Sequence, residues 1–123
     1  MPAVEPRIHY TLTLFYMAEY WNIRRAADAG DEVALSLIAA FIDWGQAAKT
    51  QTPICFDCAA KVAPENFGGL AVFRPEAHAV KSTPGIRGAF CRACEDSRTS
   101  DELAMSAYAR MRQTVNFELL SVH

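Results

Sequence analysis

The sequence predicts an α+β fold in which an N-terminal αα-hairpin packs with a small four-cysteine module containing a β-hairpin, followed by a C-terminal helix. Three observations predict it: apolar residues at helical spacing early in the chain, glycines and prolines around short β-like runs in the middle, and a helix-capping motif near the end. A chain of 123 residues has the usual length of one domain, so we expect residues 1–123 to share a single core.

Residues 10–49 are predicted to form the helical hairpin. Apolar side chains recur every three or four residues on one side of each helix. Between the two runs, Gly30 is typical of a helix end and Asp31 of the N-cap of the next helix. The predicted stripes are Leu12, Tyr16, Tyr20, Ile23 and Ala27 on the first helix, and Val33, Leu37, Phe41, Trp44 and Ala48 on the second.

Both predicted helices also carry apolar residues on the opposite side, which a two-helix hairpin alone cannot cover. This second face either packs on the four-cysteine module or forms an interface with another chain. From the second alternative we expect residues 12–48 to bind a protein partner, either as a homodimer or with a different protein. The residues of this face are Leu14, Met17, Trp21, Leu35, Ile38 and Ile42.

The middle of the chain, residues 53–98, is predicted to form the four-cysteine module. It contains two short β-like runs, "LAVF" at 70–73 and "GIRGAF" at 85–90, that could pair as a β-hairpin. After it, Thr99 and Glu102 have the spacing of a capping box and predict a helix over 99–113. Residues 115–120 alternate enough to form either a last strand or a frayed helix.

All four cysteines occur in two C-x-x-C pairs, Cys55 with Cys58 and Cys91 with Cys94. Each pair can place two thiolates on one metal, and two pairs complete a tetrahedron, so the pattern predicts one structural Zn²⁺ per chain bound by these four residues. Structural disulfides, a redox-active pair and iron in a rubredoxin-like site are the alternatives. Neither pair is followed by the glycine that is usual in rubredoxin-like turns, which favours zinc over iron.

A C-x-x-C turn, a β-hairpin and a second C-x-x-C leading into a helix resemble the treble-clef and zinc-ribbon class of zinc-binding modules, over residues 53–113. The resemblance implies metal ligation by the four cysteines. Treble clefs place their last two ligands in the first turn of a helix. The capping box at Thr99 would begin the helix later, so a zinc ribbon and a helix that already begins at Arg92 are both open.

The charges argue against a surface that binds nucleic acid throughout, because 12 basic and 14 acidic residues give a net charge of −2. Basic residues in the module could offset the charge of a four-thiolate zinc site or form a local phosphate-binding patch, with Phe73 or Phe90 stacking on bases. These basic residues are Lys61, Arg74, Lys81, Arg87, Arg92 and Arg98.

We expect no enzymatic activity, because four cysteine ligands leave a zinc ion no open position and no catalytic motif is found. His78 is the only histidine in the module; a fifth metal ligand and a general base are its alternative roles, and we expect a solvated loop residue. The predicted function is a protein-interaction or adaptor subunit. The alternative is a nucleic-acid-binding or transcription-machinery regulator, because a helical hairpin with an acidic tip before a four-cysteine finger resembles the DksA/TraR class of RNA polymerase-binding proteins.

The localisation expected from the sequence is the cytoplasm, with no membrane association. The first 20 residues lack the pattern of a secretory signal peptide, since charged residues precede a short apolar run. The uncharged stretch at 33–42 has about half of the roughly 20 residues that a membrane-spanning helix needs.

Overall fold

The computed structural model describes residues 9–75, 86–112 and 118–122, and within these ranges it contains a four-stranded sheet and four α-helices. This mixture of strands and helices agrees with the predicted α+β class. Short 3₁₀ turns precede α1 and β2. The strands are β1 (His9–Tyr16), β2 (Phe67–Pro75), β3 (Ile86–Cys91) and β4 (Glu118–Val122), and the helices are α1 (Tyr20–Asp28), α2 (Glu32–Ala47), α3 (Arg92–Ser97) and α4 (Ser100–Arg112).

The strands are arranged in the order β3-β2-β1-β4. β2 is antiparallel to both β1 and β3, whereas β4 is parallel to β1. The predicted pairing of the runs at 70–73 and 85–90 is confirmed over the described residues, with Leu70 opposite Ala89. The end of the chain is a strand over 118–122, and residues 113–117 lie outside the described part of the chain.

The prediction of a helix from residue 10 is wrong for residues 10–16, which belong to β1. The segment "HYTLTLFY" is rich in aromatic and β-branched residues, and Tyr10 and Leu12 also fit an alternation of period two. Thr13 and Phe15, on the other face of β1, are buried as well, and Phe15 packs on Phe41 of α2, so the alternation is incomplete. The helical hairpin therefore consists of α1 and α2, over 20–47.

The turn between α1 and α2 forms as predicted. Gly30 has a φ of 93°, in the left-handed region that glycine adopts without steric cost. Asp31 is the N-cap of α2, and its carboxylate accepts a hydrogen bond of 2.9 Å from the Ala34 amide. These two residues fix where the chain reverses and let α2 lie beside α1.

Aromatic rings pack α2 on the sheet. Phe41 stacks on Phe15 of β1 with 5.7 Å between ring centroids, and Trp44 stacks on Phe67 of β2 at 4.4 Å. Side chains of the helical hairpin, of the strands β1, β2 and β3, and of three of the four cysteines belong to one cluster of buried residues. The segment predicted as the four-cysteine module thus supplies two strands of the sheet on which the hairpin packs.

The second apolar face of the hairpin is covered only in part. Ile38 is buried, and Leu14 and Met17 are half-buried against the core. Val33, predicted to face inward, is 40% exposed. None of the described helices has both the length and the hydrophobicity of a membrane-spanning segment. The side chains that stay exposed from the predicted second face are Trp21 at 69%, Leu35 at 49% and Ile42 at 55%.

Candidate metal centre

The fold brings the sulfur atoms of all four cysteines together. The Sγ atoms of Cys55 and Cys94 lie 3.7 Å apart, those of Cys58 and Cys91 lie 3.6 Å apart, and all four are within 4.8 Å of one another. A tetrahedral zinc ion with Zn–S bonds of about 2.3 Å requires sulfurs about 3.8 Å apart. The four thiols are free of disulfides, and their arrangement fits a four-coordinate metal ion.

The first pair lies in a tight turn before β2. The amide of Cys55 donates to the Ala60 carbonyl at 2.8 Å, and the amide of Ala59 donates to the Cys55 carbonyl at 2.9 Å. These bonds close the turn so that Cys58 faces Cys55. Ala59 follows the second cysteine with a φ of 65°, the left-handed conformation for which glycine is the usual residue. The turn therefore forms with alanine in that place.

The second pair lies where β3 passes into α3. Cys91 is the last residue of β3 and the N-cap of α3, and Cys94 is in the first turn of that helix. The alternative of a helix that begins at Arg92 is thus confirmed. The capping box starts the separate helix α4, with the Thr99 amide donating to Glu102 Oε1 at 3.0 Å and the Glu102 amide donating to Thr99 Oγ1 at 3.1 Å.

Backbone amides point at the Cys55 sulfur. The amides of Asp57 and Cys91 each donate to Cys55 Sγ at 3.4 Å. The Phe56 amide also donates to the carbonyl of Ala89 at 3.0 Å, which attaches the first turn directly to β3. Amide donors stabilise a thiolate and hold its lone pairs in a fixed direction, so these contacts orient Cys55 for metal binding.

The pKa values of the thiols indicate which cysteines would need the positive charge of a metal ion in order to ionise. Burial raises the pKa of the Cys91 and Cys94 thiols, whereas a backbone hydrogen bond from Ala60 lowers the pKa of Cys58, the most exposed of the four. Without a cation, the thiols of Cys91 and Cys94 therefore stay protonated. A divalent cation in the centre would provide the charge that deprotonates them, since metal ligation and thiol ionisation are coupled.

Asp57, between the two cysteines of the first pair, joins the centre to the C-terminal helices. Its carboxylate accepts from Arg98 Nε at 3.1 Å and from Ser106 Oγ at 2.8 Å, and its side chain is only 10% exposed. In the metal-free protein, a hydrogen bond from the protonated Cys94 thiol, and then those from Ser106 and Arg98, hold the pKa of Asp57 below its ordinary value. Sequence reasoning included Arg98 among the offsetting charges but missed the roles of Asp57 and Ser106.

The other described basic residues of the module have surroundings different from those of Arg98. Arg87 pairs with Asp43 of α2 at 2.9 Å, and Arg74 lies near the end of β2. Lys61 and Arg92 are exposed. Lys81 and His78 lie outside the described residues. Among the offsetting charges that the structure describes, Arg98 thus has a side-chain contact with the turn of the first pair, through Asp57.

The suggestion that Phe73 or Phe90 stacks on nucleic-acid bases is wrong. Both side chains are completely buried, and Phe90 packs edge-on against Tyr16 and Phe56 at centroid distances of 5.6 and 5.8 Å. The sequence of β2 and β3 could not reveal the burial of these two rings. Both faces of the strands are covered near the cysteines, so apolar and polar residues do not alternate there.

Comparison of the chain with protein-family models, with curated proteins and with solved structures gives no match. The interpretation of the four cysteines as a metal centre therefore rests on the distances between their sulfurs and on the amides that surround them.

Proposed function

We propose that the chain is a structural zinc protein that serves as a protein-interaction subunit and associates as a homodimer through α2. The observation that carries this proposal is an exposed apolar stripe on α2, in a fold that also brings the four cysteines together. The proposed zinc ion stabilises the fold and takes no part in chemistry, since four thiolates complete its coordination.

Zinc is favoured by the donor set and by the surroundings of the sulfurs. Four thiolates at tetrahedral spacing suit Zn²⁺, and three of the four sulfurs belong to buried residues. Cys91 at the start of α3 and Cys94 in its first turn also have the placement that treble clefs use, which supports that class. Elemental analysis of protein purified without added metal should give one zinc per chain, and folded, reduced protein without metal would contradict the assignment.

The stripe on α2 consists of Leu35, Ala39 and Ile42, spaced i, i+4 and i+7 on one side of the helix. All three are exposed, with Leu35 at 49% and Ile42 at 55%. Residues 33–42 contain no charged side chain, so covering the stripe would bury no unpaired charge. An exposed apolar surface of this kind is typical of a contact with another protein.

A second copy of the chain suits this stripe because the stripe is self-complementary. If two α2 helices cross antiparallel about a two-fold axis near Ala39, Leu35 lies against Ile42 of the second copy and the small alanine allows close approach. The same arrangement brings the exposed Glu32 close to the exposed Gln46 of the second copy. The helix dipoles are then opposed, which is the favourable orientation.

Sedimentation velocity on wild-type protein and two variants tests the dimer. Ile42→Glu should give monomers that keep their zinc, because the charge opposes the interface while the exposed Ile42 is not part of the cysteine cluster. Met105→Glu is the matched control, since Met105 is also exposed, at 63%, but lies on α4. This control should remain dimeric. Ile38 is unsuitable for the test because it is buried in the core.

A wild-type chain that sediments as a monomer at micromolar concentration would contradict the homodimer. Zinc content would be unaffected by that outcome, so the two parts of the proposal can fail separately. Loss of the dimer in both glutamate variants would also count against α2 as the interface, because it would indicate a general effect of added charge.

A further inference from the structure

We propose that a cleft between α2 and the strands β2 and β3 binds the carboxylate or phosphate group of a small molecule. The cleft has a volume of about 420 Å³. The described polar residues that line it are Ser36 and Asp43 from α2, Arg74 from β2 and Arg87 from β3, together with small apolar side chains. This site is distinct from the metal centre and from the proposed role of the zinc ion.

The strand register places both arginines on the same face of the sheet. Arg87 is directly opposite Val72 in the antiparallel pairing of β3 with β2. Arg74 lies two residues beyond Val72 on β2, and residues two apart in a strand point to the same side. The two guanidinium groups are therefore diagonal neighbours at the floor of the cleft, facing α2.

Both arginines have a buried donor without an acceptor. Among the described residues, the Nε atoms of Arg74 and Arg87 are buried and have no hydrogen-bond partner. Arg87 uses Nη2 for Asp43 at 2.9 Å, and no described carboxylate forms an ion pair with Arg74. These Nε atoms are shielded from solvent, so an oxyanion in the cleft would be bound by the outer Nη groups of the two guanidiniums, and the Arg87 side chain is 26% exposed.

The local charge favours an anion although the whole chain has a net charge of −2. Among the described residues that line the cleft, two arginines face one carboxylate, and the side chain of that carboxylate, Asp43, is 71% exposed at the rim. The Ser36 hydroxyl already donates to the Glu32 carbonyl at 3.0 Å, so the donors left for a ligand are those of the arginines. The planar guanidinium group of an arginine can donate two parallel hydrogen bonds to two oxygens of a carboxylate or a phosphate.

Binding can be measured by NMR titration of the zinc-loaded protein with inorganic phosphate and, separately, with succinate, using chloride at equal ionic strength as the reference. We expect saturable shifts for residues of α2 and β2 with at least one of the two anions, and the stronger response identifies the favoured group. Arg74→Gln should weaken binding by about tenfold or more. Arg74→Lys keeps the positive charge but cannot donate two parallel hydrogen bonds, so its affinity should lie between those of Arg74→Gln and the wild type.

Arg25→Gln is the matched control, because Arg25 is an exposed arginine on α1, outside the cleft. It should leave the dissociation constant unchanged. The proposal is overturned if neither anion gives saturable shifts at millimolar concentration, or if the Arg25 and Arg74 variants lose affinity equally, which would indicate general screening. Repeating the titration on monomeric Ile42→Glu protein separates this site from the dimer, since Ala39 belongs to both the cleft and the stripe.

Discussion

At the scale of single residues, Ala59 is held in a conformation that disfavours any side chain. Its φ of 65° costs about 1–2 kcal/mol for a residue with a Cβ. Glycine would remove this cost but would lose more chain entropy on folding, about 0.5–1 kcal/mol. Ala59→Gly should therefore raise the free energy of unfolding by about 0.5 kcal/mol, measured by urea denaturation of the zinc-loaded protein.

The neighbouring alanine provides the control for this substitution. Ala60 is also exposed and follows in the same turn, but it does not have a positive φ. Ala60→Gly should give no stabilisation, because it adds chain entropy to the unfolded state without relieving a steric cost. A gain of equal size at both positions would show that Ala59 is not strained.

The carboxyl group of Glu102 makes the free energy of unfolding depend on pH. A hydrogen bond from the Thr99 amide holds the pKa of its carboxyl below the ordinary value of 4.5. Because the pKa is lower in the folded state, the stabilisation is fully present above pH 4.5 and is lost as the pH falls through the folded pKa. Glu102→Gln should therefore be less stable than wild type at pH 7, and the difference should shrink below pH 4.5.

Unfolding by urea at several pH values measures this difference, and comparison with wild type at each pH cancels the contribution of the metal-binding thiols. A difference that stays constant down to pH 3 would contradict the assignment of the titration to the Glu102 carboxylate.

The ligands could be predicted from sequence because two C-x-x-C pairs are a strong and local signal. The role of Asp57 could not be predicted in the same way. An acidic residue in a loop is common, and the partners of Asp57, Arg98 and Ser106, lie 41 and 49 residues away. Only the packing of α4 beside the first turn brings them together.

At the scale of secondary structure, β2 depends on a close approach of backbones at Gly69. A Cβ at this position would lie 2.6 Å from Cζ of Phe90, and it would overlap even more with the backbone oxygen of Phe15 in β1. Gly69→Ala should therefore separate β2 from β1 and cost about 2 kcal/mol or more. Thermal and urea unfolding of the variant would measure this loss.

Gly45 is the matched control for Gly69. It lies within α2, and a Cβ there would meet nothing within 4 Å. Gly45→Ala should stabilise the protein by about 0.5–1 kcal/mol, because alanine favours the helix more than glycine does. If both substitutions changed the free energy of unfolding in the same direction, the proposed difference between the open site in the helix and the crowded site in the strand would be wrong.

The elements differ in how far local sequence determines them. The turn at Gly30 and Asp31 and the capping box at Thr99 were predicted correctly, since their hydrogen bonds join residues three apart. β1 was not predicted, because its identity as a strand depends on pairing with β2, about 60 residues further along the chain. Its apolar residues fit a helical period equally well, and only the partner strand decides between the two.

At the scale of the whole molecule, the sequence could show that the hairpin has more apolar surface than one partner helix can cover. It could not show which part the sheet would bury. Ile38 and Ile42 are one turn apart on α2, yet the first is buried at 8% exposure and the second remains exposed at 55%. The difference depends on the tilt of α2 over β1 and β2, which is set by the stacking of Phe41 and Trp44.

The last prediction concerns loss of the metal and follows from the shared core. Cys91 ends β3 and its amide donates to Cys55 Sγ, while Trp44 of α2 stacks on Phe67 at the start of β2. Removing the ion should therefore loosen the strands and the helical hairpin together, not the cysteine segment alone. Cys91→Ser should cause the same loss in the presence of zinc.

Two probes followed during titration with a chelator test this cooperativity. In a Trp21→Phe variant, Trp44 is the only tryptophan, and its fluorescence reports the contact of α2 with β2. Circular dichroism reports the helix content. The two transitions should coincide and be reversed by added zinc, because a structural ion contributes free energy to whatever folds around it. If the helical signal survived after the zinc had been removed, α1 and α2 would form a unit that folds without the metal centre, and the shared core would be too weak to couple them.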